Sequence, residues 1–118
     1  MLTPQRLTPT VITIQAINTA VGAFSNVFSP SGPVLEVGSC YPAGYEKLCD
    51  RRAFFPGLEY VGCDLRRGCG VDRVEDAPYL SFSDGSFGAV ILLEILEHVP
   101  KPELALSEAK RVLARTGF

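Results

Sequence analysis

Apolar residues at Ile14, Ile17, Val21, Phe24 and Phe28 recur at three- and four-residue steps, the period of one face of an amphipathic helix. Thr8-Pro9 supplies its start, a hydroxyl cap followed by proline at the first helical position. Gly22 and several β-branched residues weaken its propensity, so the helix is expected to cover a sheet face that holds it. Residues 1–8 read as a polar lead-in, and Ser29-Pro30-Ser31-Gly32-Pro33 ends the helix. The run Val34-Leu35-Glu36-Val37 follows and empties into Gly38-Ser39-Cys40-Tyr41-Pro42-Ala43-Gly44. An aliphatic run entering a small, turn-forming loop predicts a buried parallel strand. Glu36 is the odd residue. A carboxylate is rarely buried without a partner, so it is expected to point out at the strand's carboxyl end.

The pattern then alternates. Residues 44–52 read as a helix with Tyr45, Leu48 and Cys49 inward, broken by Phe54-Phe55-Pro56-Gly57. Residues 58–64 read as a second strand ending at Asp64, at a distance from Glu36 that suits one β-α-β unit. Residues 71–77 leave room only for a short third strand ending at Asp76, and Ser83-Asp84-Gly85-Ser86 is turn chemistry. Residues 87–93 read as a central strand buried on both faces, running into Glu94-Ile95-Leu96-Glu97-His98-Val99. Lys101-Pro102-Glu103 opens a last helix whose inner face is Leu104, Ala105, Ala109, Val112 and Leu113. The order predicts a three-layer α/β fold around a mostly parallel sheet.

In such folds ligands gather at the carboxyl ends of the strands. Glycine there lets the backbone approach a ligand, and the following helix offers free N–H groups. Asp64 is then either the acceptor for ribose hydroxyls or a turn acid ahead of Leu65-Arg66-Arg67-Gly68. A chain of 118 residues is one small domain, and 47% hydrophobic with 20% charged residues excludes disorder. A net charge of −2 gives no pull toward nucleic acid or an anionic membrane. Cys40, Cys49, Cys63 and Cys69 form no C-x2-C pair, and with His98 the single histidine they argue against zinc and for free thiols in a reducing cytoplasm. No segment is expected to span a membrane, since residues 11–28 include Gln15, Asn18, Ser25 and Asn26. The short, broken run Val11-Ile12-Thr13-Ile14, with Arg6 the only early positive charge, fits a signal peptide poorly.

Three stretches, taken together, resemble the class I S-adenosylmethionine-dependent methyltransferases, the type 11 group in particular. Residues 34–44 resemble the first, cofactor-loop motif. Val61-Gly62-Cys63-Asp64 resembles the second strand with its ribose acid. Most specific are Leu80-Ser81-Phe82-Ser83-Asp84-Gly85-Ser86-Phe87, Ile95-Leu96-Glu97-His98-Val99 and Glu108-Ala109-Lys110-Arg111-Val112-Leu113. They are similar to the family's Leu-Pro-Phe-x-Asp-x-Ser-Phe, Leu-Glu-His-Val and Glu-Ala-x-Arg-Val-Leu signatures, in order and at family spacing. The resemblance implies a Rossmann-like domain over residues 34–118, with residues 1–33 as lead-in and helix. It implies S-adenosylmethionine as cofactor and a small-molecule methyl acceptor; the charge and hydropathy above indicate neither nucleic acid nor membrane as partner. Glu36 and Gly38 would border the methionine end, Asp64 the ribose, and Asp76 and Ala77 the adenine. Leu93 and Glu94 would lie near the transferred methyl, and Ser39, Cys40 and Leu65 complete the cofactor set. His98 is the candidate general base.

The sequence departs from the family at four places. Cys40 and Pro42 stand where the first loop has its later glycines, so side chains there are expected to crowd the methionine moiety. Gly88 replaces an Asp. Family domains continue through a Gly-Gly turn into three further strands, whereas these residues stop at Phe118. The C-terminal strands are thus expected to be missing, leaving an open edge for self-association or a partner chain. Glu94, Glu97 and His98 also resemble a Glu-x-x-Glu-His found in metal-dependent members, but a turn held by hydrogen bonds is the expected role, and no metal is assigned. Two rivals remain. A nicotinamide-dinucleotide domain would want a fuller Gly-x-Gly-x-x-Gly than this loop has. A non-catalytic methyltransferase-like module, or a fragment needing a partner, is the second alternative.

Overall fold

The computed structural model describes residues 8–118; of the lead-in expected at residues 1–8, residues 1–7 lie outside them. Four strands, β1 (Val34–Val37), β2 (Tyr60–Asp64), β3 (Arg73–Val74) and β4 (Ala89–Leu92), form one sheet in the order β3-β2-β1-β4. Every pairing is parallel. The helices are α1 (Pro9–Phe28), the single turn α2 (Glu46–Cys49) and α3 (Pro102–Val112).

Side chains alternate along the strands and so divide the core into two layers. Leu35, Val37, Cys63 and Val90 pack with Ala105 and Val112 of α3. Val34, Tyr60, Ala89 and Ile91 pack with Val21, Ile17 and Phe24 of α1. This is the expected three-layer arrangement. Thr8 caps α1 by accepting the Val11 N–H at 3.2 Å, with Pro9 in the first turn, and Ser29 ends the helix in a left-handed conformation. Two polar side chains on α1 satisfy carbonyls of the segment that follows β1. Asn18 Nδ2 donates to Leu48 O at 2.6 Å, and Ser25 Oγ donates to Phe54 O at 2.5 Å.

Several expectations are corrected. By length and composition α1 is long and apolar enough to cross a membrane. Its few polar residues carry no charge, so they do not lower the hydropathy as far as anticipated. The second helix spans only Glu46–Cys49 because Asp50 turns extended, and a 3₁₀ turn follows at Arg52–Phe54. The third strand is two residues long and ends before Asp76. The fourth strand is not central: β1 has neighbours on both sides, while β4 stands at the end of the strand order. The outer side of β4 is partly met by the last residues. Phe118 N–H donates to Gly88 O at 3.1 Å, and Phe118 O accepts the Val90 N–H at 2.8 Å. Gly88 is required because a Cβ there would lie 2.0 Å from Ser31 O.

Arg111 on α3 uses all five of its donors. Nε and Nη2 donate to Glu108, Nη2 also to Leu80 O, and Nη1 to Phe82 O and Asp84 Oδ1, all within 2.7–2.9 Å. Glu108 in turn accepts the Leu80 N–H at 2.9 Å. One guanidinium thus fixes the loop between β3 and β4 to α3.

Two outcomes follow from this packing. Leu35 is fully buried in β1, so Leu35→Ala is expected to cost about 2–5 kcal/mol of unfolding free energy. Leu106→Ala, at a residue 51% exposed on α3, should leave the urea midpoint nearly unchanged; equal effects would contradict the assigned core. The second concerns acid. The Arg111 guanidinium holds the Glu108 carboxyl below its ordinary 4.5, against the opposing effect of burial. The folded value lies below the unfolded one, so this contribution is full above pH 4.5 and is lost as pH falls through the folded value. Melting curves of Glu108→Gln should therefore decline less steeply with acid below about pH 4.5 than those of the wild type.

Candidate active site

A cleft of about 450 Å³ opens at the carboxyl ends of β1, β2 and β4. Val37, Gly38, Asp64, Leu65, Arg66, Glu75, Asp76, Ala77, Glu94, Ile95 and His98 line it. A second cleft of about 490 Å³ lies toward α1. Its walls include Thr10, Glu36, Cys40, Tyr41, Pro42, Arg51 and Leu93, and it shares Gly38, Arg66, Glu94 and His98 with the first. Those four residues mark the junction.

Strand β1 delivers the glycine loop to this junction. Gly38 has φ +84°, and a Cβ on it would fall 2.9 Å from Ile95 Cδ1. Both the backbone sign and the close approach of the segment after β4 demand glycine. Asp64 ends β2 and is 8% exposed. Its Oδ2 accepts the Cys40 N–H at 3.1 Å, and its Oδ1 accepts the Arg66 N–H at 2.9 Å and Nε at 3.3 Å. The acid therefore ties the glycine loop to the end of β2 and still lines the first cleft. Glu94 has φ 51°, a left-handed value that an unbranched non-glycine residue adopts at a cost of about 1–2 kcal/mol. That conformation sits at the junction of the two clefts.

Of the residues expected from the sequence, Gly38, Asp64, Leu65, Asp76, Ala77, Glu94 and His98 meet in the first cleft. Glu36, Cys40 and Leu93 line the second. Two placements differ from expectation. Ser39 lines neither cleft; it is fully buried, and its Oγ donates to Gly70 O at 2.7 Å, bracing the loop from behind. Glu36 does not point out at the end of the strand. Strand alternation puts it on the α1 side, 1% exposed, where Arg51 Nη1 donates to it at 3.2 Å and the Tyr60 hydroxyl at 2.6 Å. Burial pushes the Glu36 carboxyl up, opposed chiefly by Tyr60 and Arg51. Cys40 lines the α1-side cleft, with its Sγ 4.0 Å from Arg67 O. His98 is exposed, with Nε2 3.7 Å from Glu97 Oε1. Among the described residues no three His, Cys, Asp or Glu side chains are grouped to hold a metal ion, and all four cysteines are free thiols.

Arg66, Glu75 and Arg51 line the clefts without having been singled out in the sequence. Arg66 could have been found from its place two residues after Asp64. Arg51 carries no local signal, because its partner Glu36 is fifteen residues away.

The family model for the Methyltransferase domain (type 11) matches residues 35–118. The chain belongs to this methyltransferase-domain family. Among solved structures it is similar to a putative methyltransferase from Bacillus halodurans, with 28% identity and a TM-score of 0.59 over 82% of this chain and 43% of that one. It shares the fold of an S-adenosylmethionine-dependent methyltransferase of Thermotoga maritima described as a possible histamine N-methyltransferase. There the identity is 21% and the TM-score 0.59, over 85% of this chain and 48% of that one. The trans-methyltransferase CalH, solved in complex with S-adenosylhomocysteine, has the same fold at 16% identity and a TM-score of 0.60, over 86% of this chain and 34% of that one. The chain thus spans less than half the length of these structures. No curated protein matches it.

Gly38→Ala is expected to lower the unfolding free energy by about 1–2 kcal/mol from the left-handed backbone alone. Displacement of Ile95 should also perturb the first cleft. Unchanged denaturant unfolding of this variant would show that the loop geometry is not required.

Proposed function

We propose that the first cleft binds S-adenosylmethionine and that the chain takes part in methyl transfer to a small-molecule acceptor. The observation that carries this reading is the gathering of Gly38, Asp64, Asp76 and Glu94, one from the end of each of the four strands, around one cleft. The lining fits the cofactor chemically. Asp64, Glu75, Asp76 and Glu94 against the single guanidinium of Arg66 make a cleft suited to a cationic ligand. Asp64 retains acceptor capacity for ribose hydroxyls beside its three loop contacts. When bound, the cofactor supplies an electrophilic methyl on a sulfonium. Transfer then asks mainly for alignment and exclusion of water. His98, at the mouth of both clefts, is the group available to take a proton from the acceptor.

The alternative is a methyltransferase-like module that acts only with a partner. The outer side of β4, met among the described residues by the backbone of residues 112–118, is what supports it. Self-association or a partner strand at that edge belongs to this second reading, and sedimentation of the isolated chain tests it. A cytoplasmic setting is part of the proposal too, supported by the free thiols.

Calorimetric titration with S-adenosylmethionine, S-adenosylhomocysteine and NAD separates the readings. Binding of the first two but not NAD is expected; selective NAD binding, or none of the three, would overturn the assignment. Asp64→Asn should weaken S-adenosylhomocysteine by about 1.5–3 kcal/mol, the range for hydrogen bonds to a charged group. Unaltered affinity in a folded variant would remove Asp64 from the ribose site.

A further inference from the structure

The four cysteines divide by environment. Cys49 and Cys63 are buried, and burial pushes both thiols up, that of Cys63 to about 12. A thiol so held stays protonated and is a poor nucleophile. Cys69 is exposed and Cys40 half-buried. These two lie far apart in sequence, yet the fold brings their backbones together where the segment after β2 passes the glycine loop. Methyl transfer as proposed uses neither sulfur.

The contacts at that crossing define the approach. The Tyr41 N–H donates to Cys69 O at 2.9 Å. This N–H belongs to the peptide that follows Cys40, so the bond sets the Cα atoms of Cys40 and Cys69 roughly 5–6 Å apart. A disulfide needs a Cα separation of about 4.4–6.8 Å. The residues on either side of Cys69 are glycines. A Cβ at Gly68 would lie 2.8 Å from Cys40 Sγ, and one at Gly70 would lie 2.4 Å from Ser39 O. Gly70 has φ +89°, and the Val71 N–H donates to Gly68 O at 3.2 Å, so Cys69 stands within a tight turn. Glycine lets this turn press against the loop, and the one side chain between the two glycines is a thiol.

We propose that Cys40 and Cys69 form a reversible disulfide, with a hydroperoxide as oxidant, that joins the glycine loop to the segment after β2. Cys40 Sγ already rests against the residue next to Cys69, so bridging asks for side-chain rotation and leaves the strands in place. The exposed Cys69 thiolate attacks the peroxide. An S–O bond forms as the O–O bond breaks, and the departing hydroxide takes a proton to become water. The Cys40 thiolate then displaces hydroxide from this sulfenic acid, and the S–S bond forms. In all, two thiols give up two electrons and two protons, and hydrogen peroxide becomes two waters. Asp64, Leu65 and Arg66, which line the first cleft, lie within the chain so closed, and Asp64 already accepts the Cys40 N–H. Oxidation therefore fastens that wall of the cleft to the glycine loop, whichever ligand the cleft holds. Thiols of a reducing compartment form bridges of this kind transiently, and glutathione reopens them.

The test exposes the reduced, dilute wild-type chain to stoichiometric hydrogen peroxide, blocks the remaining thiols with iodoacetamide and digests with trypsin. Cleavage after Arg6, Lys47, Arg51, Arg52, Arg66, Arg67 and Arg73 puts each cysteine on its own peptide. The expected product joins residues 7–47 to residues 68–73 within one molecule, with two hydrogens lost, and dithiothreitol separates them. The melting midpoint should rise on oxidation and return on reduction, because the bridge constrains the unfolded chain. Cys69→Ser, a change at an exposed position, should show neither the link nor the rise. Absence of the link in the wild type overturns the pair without reference to any variant. So does oxidation that joins Cys49 or Cys63 as readily, or a link that forms with the same selectivity in urea, where the fold cannot choose partners. A midpoint that stays put in fully bridged protein overturns the bridge as a constraint on the loop.

Discussion

A carboxylate in the middle of a fully buried strand must be answered from inside the protein. Glu36 sits in β1, the strand with neighbours on both sides, and alternation sends its side chain into the layer beneath α1. Much of the α1 side follows from that position. Arg51 has to reach inward, so the chain leaves the helical path after Cys49, and α2 stays one turn long. Tyr60 has to present its hydroxyl at the start of β2, which fixes a large ring between the sheet and Phe55. Arg52, now free of the helix, ties the Tyr60 carbonyl and Asp72 together and anchors the approach to β3. Breaking a buried pair by removing one partner commonly costs about 3–5 kcal/mol, whereas replacing both can be neutral. The pair is therefore better understood as fixing one arrangement of β1, α2 and β2 than as a source of net stability.

On the opposite face the organising group is Arg111, and its logic differs. Here a single surface-facing guanidinium replaces what a longer hydrophobic contact would do. It holds three carbonyl or carboxylate positions of the loop after β3 while Glu108 closes the circuit through the Leu80 N–H. This explains why Glu108, Arg111 and Asp84 occur at fixed places in separate motifs: they are one network. The loop so fixed runs directly from Asp76 and Ala77, which line the first cleft. The wall farthest from the glycine loop is thus set by a helix that does not itself enter the cleft.

How far the sequence disclosed this depended on whether a feature was periodic or relational. The faces of α1 and α3, the four strands and the layer order come from spacing alone, and spacing was visible. The signature residues of the first cleft were visible as motifs, and the chain brings Gly38, Asp64, Asp76, Ala77 and Glu94 together as they suggested. What stayed hidden were relations between distant residues. Glu36 was expected to face outward because no partner stands near it in sequence; Arg51 and Tyr60 become partners only when the sheet forms. Ser39 looks like a ligand-loop residue, yet the tight pass of residue 70 beneath the loop turns its hydroxyl inward. The shortness of α2 was equally illegible, since the chain turns extended at Asp50 and Arg51 is engaged by Glu36.

The departures in the glycine loop find their explanation in the same geometry. Loops of this kind are sensitive to side chains only where the backbone faces the ligand or another segment at contact distance. In this chain that place is Gly38, pressed against Ile95, and it is kept as glycine. At the position of Cys40 the backbone N–H is spent on Asp64, and Sγ is turned toward Arg67 and Gly68. Pro42 lacks an N–H. Both residues line the second cleft. Arg51 lines it as well, so the loop's two departures and the buried cation share one cleft on the α1 side.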